Sequence, residues 1–169
     1  DERLKIQVGP RYRMVEGDYL DYDDVMEKYD AMMEWLAGLY VNTLNVIHYM
    51  HDKYSYEKLQ MALHDRDVKR YFATGIAGLS VVADSLSAIK YAKVKCIRDE
   101  NGIVVDYDVE GDFPKYGNND DFVDKYAVWY VDFMDKAFKK YKTRDGGVFY
   151  TAIASNTQNI SAGRVTGAT

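Results

Sequence analysis

Apolar side chains recur at three- and four-residue steps from Tyr22 to Met50. Val25, Tyr29, Met32, Leu36, Leu39 or Tyr40, Thr43, Ile47 and Met50 make the stripe, and Met33, Ala37, Leu44 and Val46 widen it. That period predicts one long α-helix, and the width of its apolar face predicts a helix enclosed by neighbours. Asp21 is placed to cap it, and Asp23 and Asp24 put negative charge at the positive end of its dipole. Before it, Asp1 to Leu20 contains Pro10 and Gly17 and has little periodicity, which predicts extended chain or loop. After it, Ser55 is expected to cap a short helix through Leu59, Ala62 and Leu63. Ser80 is expected to cap another, with Val82, Leu86 and Ile89 on one face, to about Lys93.

Asn101-Gly102 predicts a hairpin with a two-residue type I′ turn, whose central positions both need positive φ. Folding about it pairs Val94 with Val109, Cys96 with Tyr107 and Arg98 with Val105 on a packed face. Lys95 then faces Asp108 on the solvated side, a pair worth about 0.2–1 kcal/mol. Asn118 or Asn119 is expected to cap a helix from about Asp120 to Lys142, with Phe122, Tyr126, Trp129 or Tyr130, Phe133, Ala137 and Tyr141 as its buried stripe. Gly146-Gly147 ends it, and Val148 to Ala154 reads as a strand. The elements amount to an α/β chain of long helices, one hairpin and one further strand. Three strands at most cannot close a barrel, so a fragment of a larger sheet is expected.

Composition narrows the function. At 169 residues, the chain has the size of one domain, and 47% hydrophobic with 29% charged residues is a globular balance. Lys and Arg number 22 against 27 Asp and Glu, net −5, which argues against a nucleic-acid backbone or an anionic membrane as main partner. A run of about 18 apolar residues, as a membrane-crossing helix requires, is missing. The single cysteine, Cys96, excludes an internal disulfide and fits a reducing compartment. The start at Asp1 and the tail from Ser161 to Thr169 contain nothing like a targeting signal and read as the ends of a piece cut from something longer.

Four constellations are candidates for chemistry. His48 and His51 with Asp52 share a helix end, but metal binding needs a further directed ligand, so helix-end packing is the simpler reading. Gly75-x-x-Gly78-x-Ser80 before a helix can present N–H groups to a phosphate, yet it lacks the P-loop lysine and the dinucleotide spacing. Cys96, on the packed face of the hairpin, reads as a buried, inert thiol. In His64-Asp65-Arg66-Asp67, the two carboxylates can clamp Arg66, leaving His64 either part of a structural salt-bridge cluster or facing a substrate. The residues therefore give no self-sufficient active site.

Longer runs point to a family. Ile47-His48-Tyr49-Met50-His51-Asp52-Lys53-Tyr54-Ser55-Tyr56-Glu57 and Ala62-Leu63-His64-Asp65-Arg66-Asp67-Val68 resemble the pyruvate formate-lyase (formate acetyltransferase) family of glycyl radical enzymes. So do Gly75 to Val81, Ala83 to Lys95, Ile97 to Glu100 and Tyr116 to Asp120. The match is dense from about Leu44 to Asp120 and looser over the last forty or so residues. The resemblance implies a segment, 1–169, of a single catalytic domain that is a ten-stranded α/β barrel. It implies a cytoplasmic homodimer of anaerobic glucose metabolism, activated by a radical-SAM enzyme. Pyruvate and coenzyme A are its substrates, acetyl-CoA and formate its products. A glycyl radical and an adjacent cysteine pair would lie elsewhere in the full protein, with no metal and no permanently bound cofactor.

The segment departs from the family pattern where catalysis would sit. Cys96 has Lys95 and Ile97 as neighbours rather than a second cysteine, and Gly163 in Ala-Gly-Arg does not match the radical-glycine motif. No catalytic residue is therefore expected within the chain. His64, of the His-Asp-Arg-Asp motif, is the one position the resemblance places near substrate and coenzyme A, where an imidazole suits acid–base work. The rival readings are another glycyl radical enzyme, of the diol or glycerol dehydratase type, and a non-catalytic helical domain binding a partner through Tyr- and Met-rich faces.

Overall fold

The computed structural model describes residues 6–7, 9–11, 13–54, 59–60, 62–63, 72–144, 146–147 and 149–153. In chain order the elements are α1 (Tyr22–Lys53), β1 (Ala73–Ile76), α2 (Leu79–Tyr91), β2 (Lys93–Arg98), β3 (Val104–Glu110), α3 (Asp121–Lys139) and β4 (Tyr150–Ile153). The fold is mixed α/β, with three helices and two small sheets among the described residues.

α1 starts where its sequence predicts. The Asp21 carboxylate accepts from Asp24 N–H at 2.9 Å, satisfying one of the free donors of the first turn. The helix continues past Met50 to Lys53. Its enclosure is incomplete: Ala37 and Val41 are buried, while Leu39, Val46, Ile47 and Tyr49 are exposed. Within this chain α3 and α2 cover one side of α1, which leaves the rest of the broad stripe open. Of the short helix expected after Ser55, Leu59 and Gln60 are helical; Ser55 itself lies outside the described residues.

A fourth strand, β1, was not expected. It pairs in parallel with β4, Ala73 opposite Tyr150 and Ile76 opposite Ile153. Parallel strands need a crossover, and here α2, the hairpin and α3 together supply it. The expected strand of Val148 to Ala154 is realised as Tyr150–Ile153. Ser80 does not cap α2. Gly78 occupies the N-cap position at φ 80°, a left-handed conformation that costs glycine nothing, and Ser80 lies inside the first turn. α2 ends at Tyr91, two residues short of Lys93.

The hairpin keeps its predicted register by a different route. Gly102 alone of the turn pair has positive φ, and Gly102 N–H donates to Asp99 O at 3.0 Å. Asp99 N–H donates to Ile103 O at 2.9 Å, so the loop has three residues rather than two. Its geometry is a tight turn followed by a left-handed glycine. The Asp99 carboxylate accepts from Asn101 N–H at 2.9 Å and Ile103 N–H at 2.8 Å, and these bonds hold it below the usual carboxylate range. Arg98 consequently pairs with Val104, not Val105. Val105 is then the extra residue of a bulge that restores Ile97–Asp106, Cys96–Tyr107, Lys95–Asp108 and Val94–Val109. Val94 and Cys96 are buried as expected, whereas Val105, Tyr107 and Val109 on β3 are exposed, because α2 packs against β2.

The opening segment is extended and lies along the other edge of β2. Leu20 N–H donates to Val94 O at 2.8 Å and Cys96 N–H to Asp18 O at 2.7 Å. The Arg98 guanidinium donates to Val15 O, Gly17 O and Gly102 O at 2.8–2.9 Å, tying segment and turn together.

α3 is capped by Asp120, whose carboxylate accepts from Phe122 N–H at 2.9 Å, rather than by Asn118 or Asn119. Its buried stripe is also rotated from the expected one: Val123, Tyr126, Ala127, Tyr130, Met134, Ala137 and Phe138. Phe122 is 62% exposed and Tyr141 lies beyond the helix end. Trp129 and Phe133 are half-buried and stack on each other at 5.5 Å. Small residues decide the phase, since Ala127 and Ala137 let neighbouring helices approach where larger rings cannot.

The buried residues form two clusters. Ala37, Val41, Ile76, Tyr130, Met134, Phe138 and Phe149 join α1, α3 and β1 to the chain before β4; Ala83, Leu86, Val123 and Tyr126 join α2 to α3. Buried Ser87 donates to Pro114 O at 2.7 Å, and Tyr116 N–H donates to the Asp84 carboxylate at 2.7 Å, which fastens the loop before α3 to α2. Phe138→Ala should therefore destabilise by about 3–5 kcal/mol in urea unfolding. Phe122→Ala should cost under about 1 kcal/mol, and equal losses would mean that α3 presents its other face.

Candidate functional site

The sequence candidates do not converge. His64, with Asp65, Arg66 and Asp67, lies outside the described residues. The His48 ring rests against Phe72 at 4.4 Å between centroids and 6.3 Å from the His51 ring. Asp52 is ion-paired with the Arg144 guanidinium. This is helix-end packing and pairing, and among the described residues no group of three or more His, Cys, Asp or Glu could hold a metal ion. Cys96 is a free, buried thiol on the covered face of β2. Gly75 belongs to β1, where its N–H donates to the Tyr40 hydroxyl at 3.3 Å, so the glycine pair serves strand and turn geometry instead of a phosphate cradle.

Among the described residues an open, charged groove of about 670 Å³ runs along α3, lined by Asp124, Lys125, Trp129, Asp132, Phe133 and Lys136. Two further cavities, both apolar, are places where a group can be held. One, of about 450 Å³, opens at the end of β1 between α1 and α3, against Leu36, Tyr40, Thr43, Ile76, Tyr130 and Phe138. Its polar side chains are hydroxyls. Thr43 Oγ1 already donates to Leu39 O at 2.8 Å. Tyr130, whose hydroxyl is bonded to that of Tyr29, is pushed above the ordinary phenol value by burial. Tyr29 is pushed up further, by its own burial and then by Tyr130. Both stay neutral, so the pocket accepts an apolar group and supplies no base.

The second, of about 510 Å³, lies between the hairpin, α1 and α2 and is lined by Val25, Tyr29, Met32, Ala88, Val94 and Tyr107. Lys28 stands at its wall and is paired with Asp24, which also takes the Arg13 guanidinium. The Lys28 bond is the main reason that the Asp24 carboxyl titrates below its usual value. The cleft is again apolar, with one charge already neutralised.

One residue of chemical interest escaped the sequence reading. Asp30 Oδ1 is buried and has no hydrogen-bond partner among the described residues. Burial, and then the nearby Glu34, raise its carboxyl pKa. The signal was present: Asp30 precedes Ala37 by seven residues and Val41 by eleven, which places an acid on the buried stripe of α1.

Comparison with known proteins supplies what the cavities do not. The family model "Pyruvate formate lyase-like" matches residues 1–163. The chain is 54% identical over all 169 of its residues to Formate acetyltransferase 1 of Escherichia coli (strain K12) and spans 22% of the length of that protein.

The raised Asp30 carboxyl has a consequence for stability. The folded chain holds the Asp30 proton more tightly than the unfolded chain, so stability falls as pH rises from the ordinary carboxylate range through the raised value. Asp30→Asn should raise the melting temperature at pH 7, and the gain should vanish below the ordinary value, where both states are protonated. A variant that melts lower at pH 7, or whose advantage is the same at every pH, would contradict this account of Asp30.

Proposed function

The chain belongs to the pyruvate formate lyase-like family, and we propose that it is the part of a formate C-acetyltransferase lying between the cysteine pair and the radical glycine. The observation that carries this reading is identity of 54% along the whole chain to a formate acetyltransferase. The complete protein would convert pyruvate and coenzyme A to acetyl-CoA and formate. A radical at a glycine downstream of this chain would be handed to one of two cysteines upstream. The acetyl group would pass to that cysteine pair as a thioester and then to coenzyme A. A radical-SAM enzyme would install the radical, and the protein would work as a cytoplasmic homodimer without a metal or bound organic cofactor.

Several features support a role as part of a larger catalytic body. Two parallel strands alone are too few for an independent sheet, and β1–β4 fits two staves of the ten-stranded barrel that the family resemblance implies. The wide apolar stripe of α1 is covered on one side. The two apolar cavities lack an available base or nucleophile among their described lining residues. Identity at this level favours the lyase over a diol or glycerol dehydratase.

The contribution of this chain to the chemistry is His64. Its imidazole, ordinarily titrating near pH 6.5, is suited to take the thiol proton as coenzyme A enters the acetyl-transfer half of the reaction. His64→Gln in the complete enzyme should therefore lower turnover with coenzyme A while formate–pyruvate exchange, which needs no coenzyme A, survives. Equal loss of both would remove His64 from coenzyme A handling. The isolated 169-residue chain should have no acetyl-transfer activity after treatment with the activating enzyme. Production of acetyl-CoA by it would overturn the proposed division of labour.

A further inference from the structure

Tyr91 ends α2 at the surface, 39% exposed. Its hydroxyl accepts a 2.7 Å hydrogen bond from Lys125 Nζ, on the first turns of α3. That ammonium is held in place by three rings, with centroids 5.1 Å away at Tyr126, 5.3 Å at Tyr91 and 5.7 Å at Phe122. Phe122 meets the Tyr91 ring edge-on at 6.1 Å. This contact gives the exposed Phe122 a role that its absence from the core leaves unexplained. Lys90, next to Tyr91 on α2, adds a second positive charge and lies 4.3 Å from the ring centroid of Tyr22, itself 6.2 Å from Tyr126.

The cluster sorts its phenols. Burial pushes Tyr126 up, so its neutral hydroxyl is a hydrogen-bond donor to Tyr91. The Lys125 bond, the Tyr126 bond and the charges of Lys125 and Lys90 all favour the anion at Tyr91, whose titration is displaced below the ordinary phenol value, the Lys125 bond being the largest cause. An oxygen with more anionic character, open to solvent, is the better nucleophile.

We propose that Tyr91 is a covalent-modification site, the phenol of this chain that reacts first with small activated acyl donors of the acyl-imidazole or acyl-phosphate class. The Tyr91 oxygen attacks the carbonyl carbon and forms the ester bond. The bond from that carbon to imidazole nitrogen, or to phosphate oxygen, breaks and its electron pair leaves with the imidazole or phosphate. The phenolic proton goes to solvent or to the leaving group, and Lys125 keeps its own protons throughout.

The test separates this chemistry from exposure. Within this chain Tyr54, Tyr150, Tyr107, Tyr49 and Tyr19 are all more exposed than Tyr91, at 44–68% against 39%. Since the rest of the complete protein can cover any of them, Tyr91 is also compared with itself in Lys125 variants. The native protein carrying this chain is treated with limiting N-acetylimidazole, and ester formation at each tyrosine is followed by peptide mass spectrometry. Tyr91 should acetylate several-fold faster than Tyr54 or Tyr49, with a rate profile shifted to lower pH than theirs. Lys125→Met, which keeps an apolar stem among the rings, should abolish the preference, and Lys125→Arg should restore part of it. Reaction at Tyr54 or Tyr49 first, a silent Tyr91, or an undiminished preference in Lys125→Met would each overturn the proposal. If a variant fails to fold, the pH profile of Tyr91 acetylation in the wild-type protein decides the matter, because cover over other tyrosines does not shift it. A profile no lower than that of N-acetyltyrosine amide would overturn the proposal.

Discussion

The close approach of α1 to α3 is the constraint on which the remaining arrangement depends. It is made possible by small side chains: Ala37 is fully buried, Ala137 nearly so, and Gly38 lies so close to Tyr141 that a Cβ there would sit 2.8 Å from its hydroxyl oxygen. With the helices this near, Val41, Tyr130, Met134 and Phe138 close over Ile76 and Phe149. β1 and the chain leading to β4 are thus brought side by side although 73 and 150 are distant in sequence. Thr151 Oγ1 then donates to the Asp135 carboxylate at 2.9 Å, anchoring β4 to the outer turn of α3. The parallel pair is a product of helix packing more than of its own four-residue length.

Much of this was legible in the sequence because the signals were local. The start of α1 followed from a carboxylate at position 21 and a sustained period, and both are short-range physics. The hairpin was legible in register but not in turn: Asn101-Gly102 suggested two central residues, whereas the Asp99 carboxylate stabilised a three-residue loop and Val105 absorbed the difference. α3 was placed correctly and phased wrongly, because ring size suggested Phe122 for the core while the approach of α2 selected Val123 and Ala127. β1 was missed for a long-range reason. Ala-Thr-Gly-Ile carries little strand preference, and its partner follows more than seventy residues later.

The candidate site was read from the sequence in another way, and His64 lies outside the described residues. His64 emerged from its surrounding motif rather than from any geometric signal, and a histidine beside two carboxylates and an arginine has a structural reading as ready as a catalytic one. Family membership rests on the family model that matches residues 1–163. The cavity at the end of β1 is apolar, and its hydroxyls are engaged or held neutral. Asp30 and Tyr91 differ from both cases. Each is an ordinary residue in sequence, and each acquires its chemistry from what the fold places beside it.

The extended segment before α1 occupies one border of the hairpin, through Asp18 and Leu20, so the outer border of β3 is the unpaired one among the described residues. Asp106, Asp108 and Glu110 run along it, with Lys93 and Lys95 one strand further in. A second molecule aligned strand against strand would bring carboxylates to carboxylates, and such edges resist templated growth. Protonation removes that repulsion while leaving the open backbone groups and the exposed Val105 and Val109 unchanged. Acidified solutions are therefore where this hairpin loses its protection against β-type aggregation.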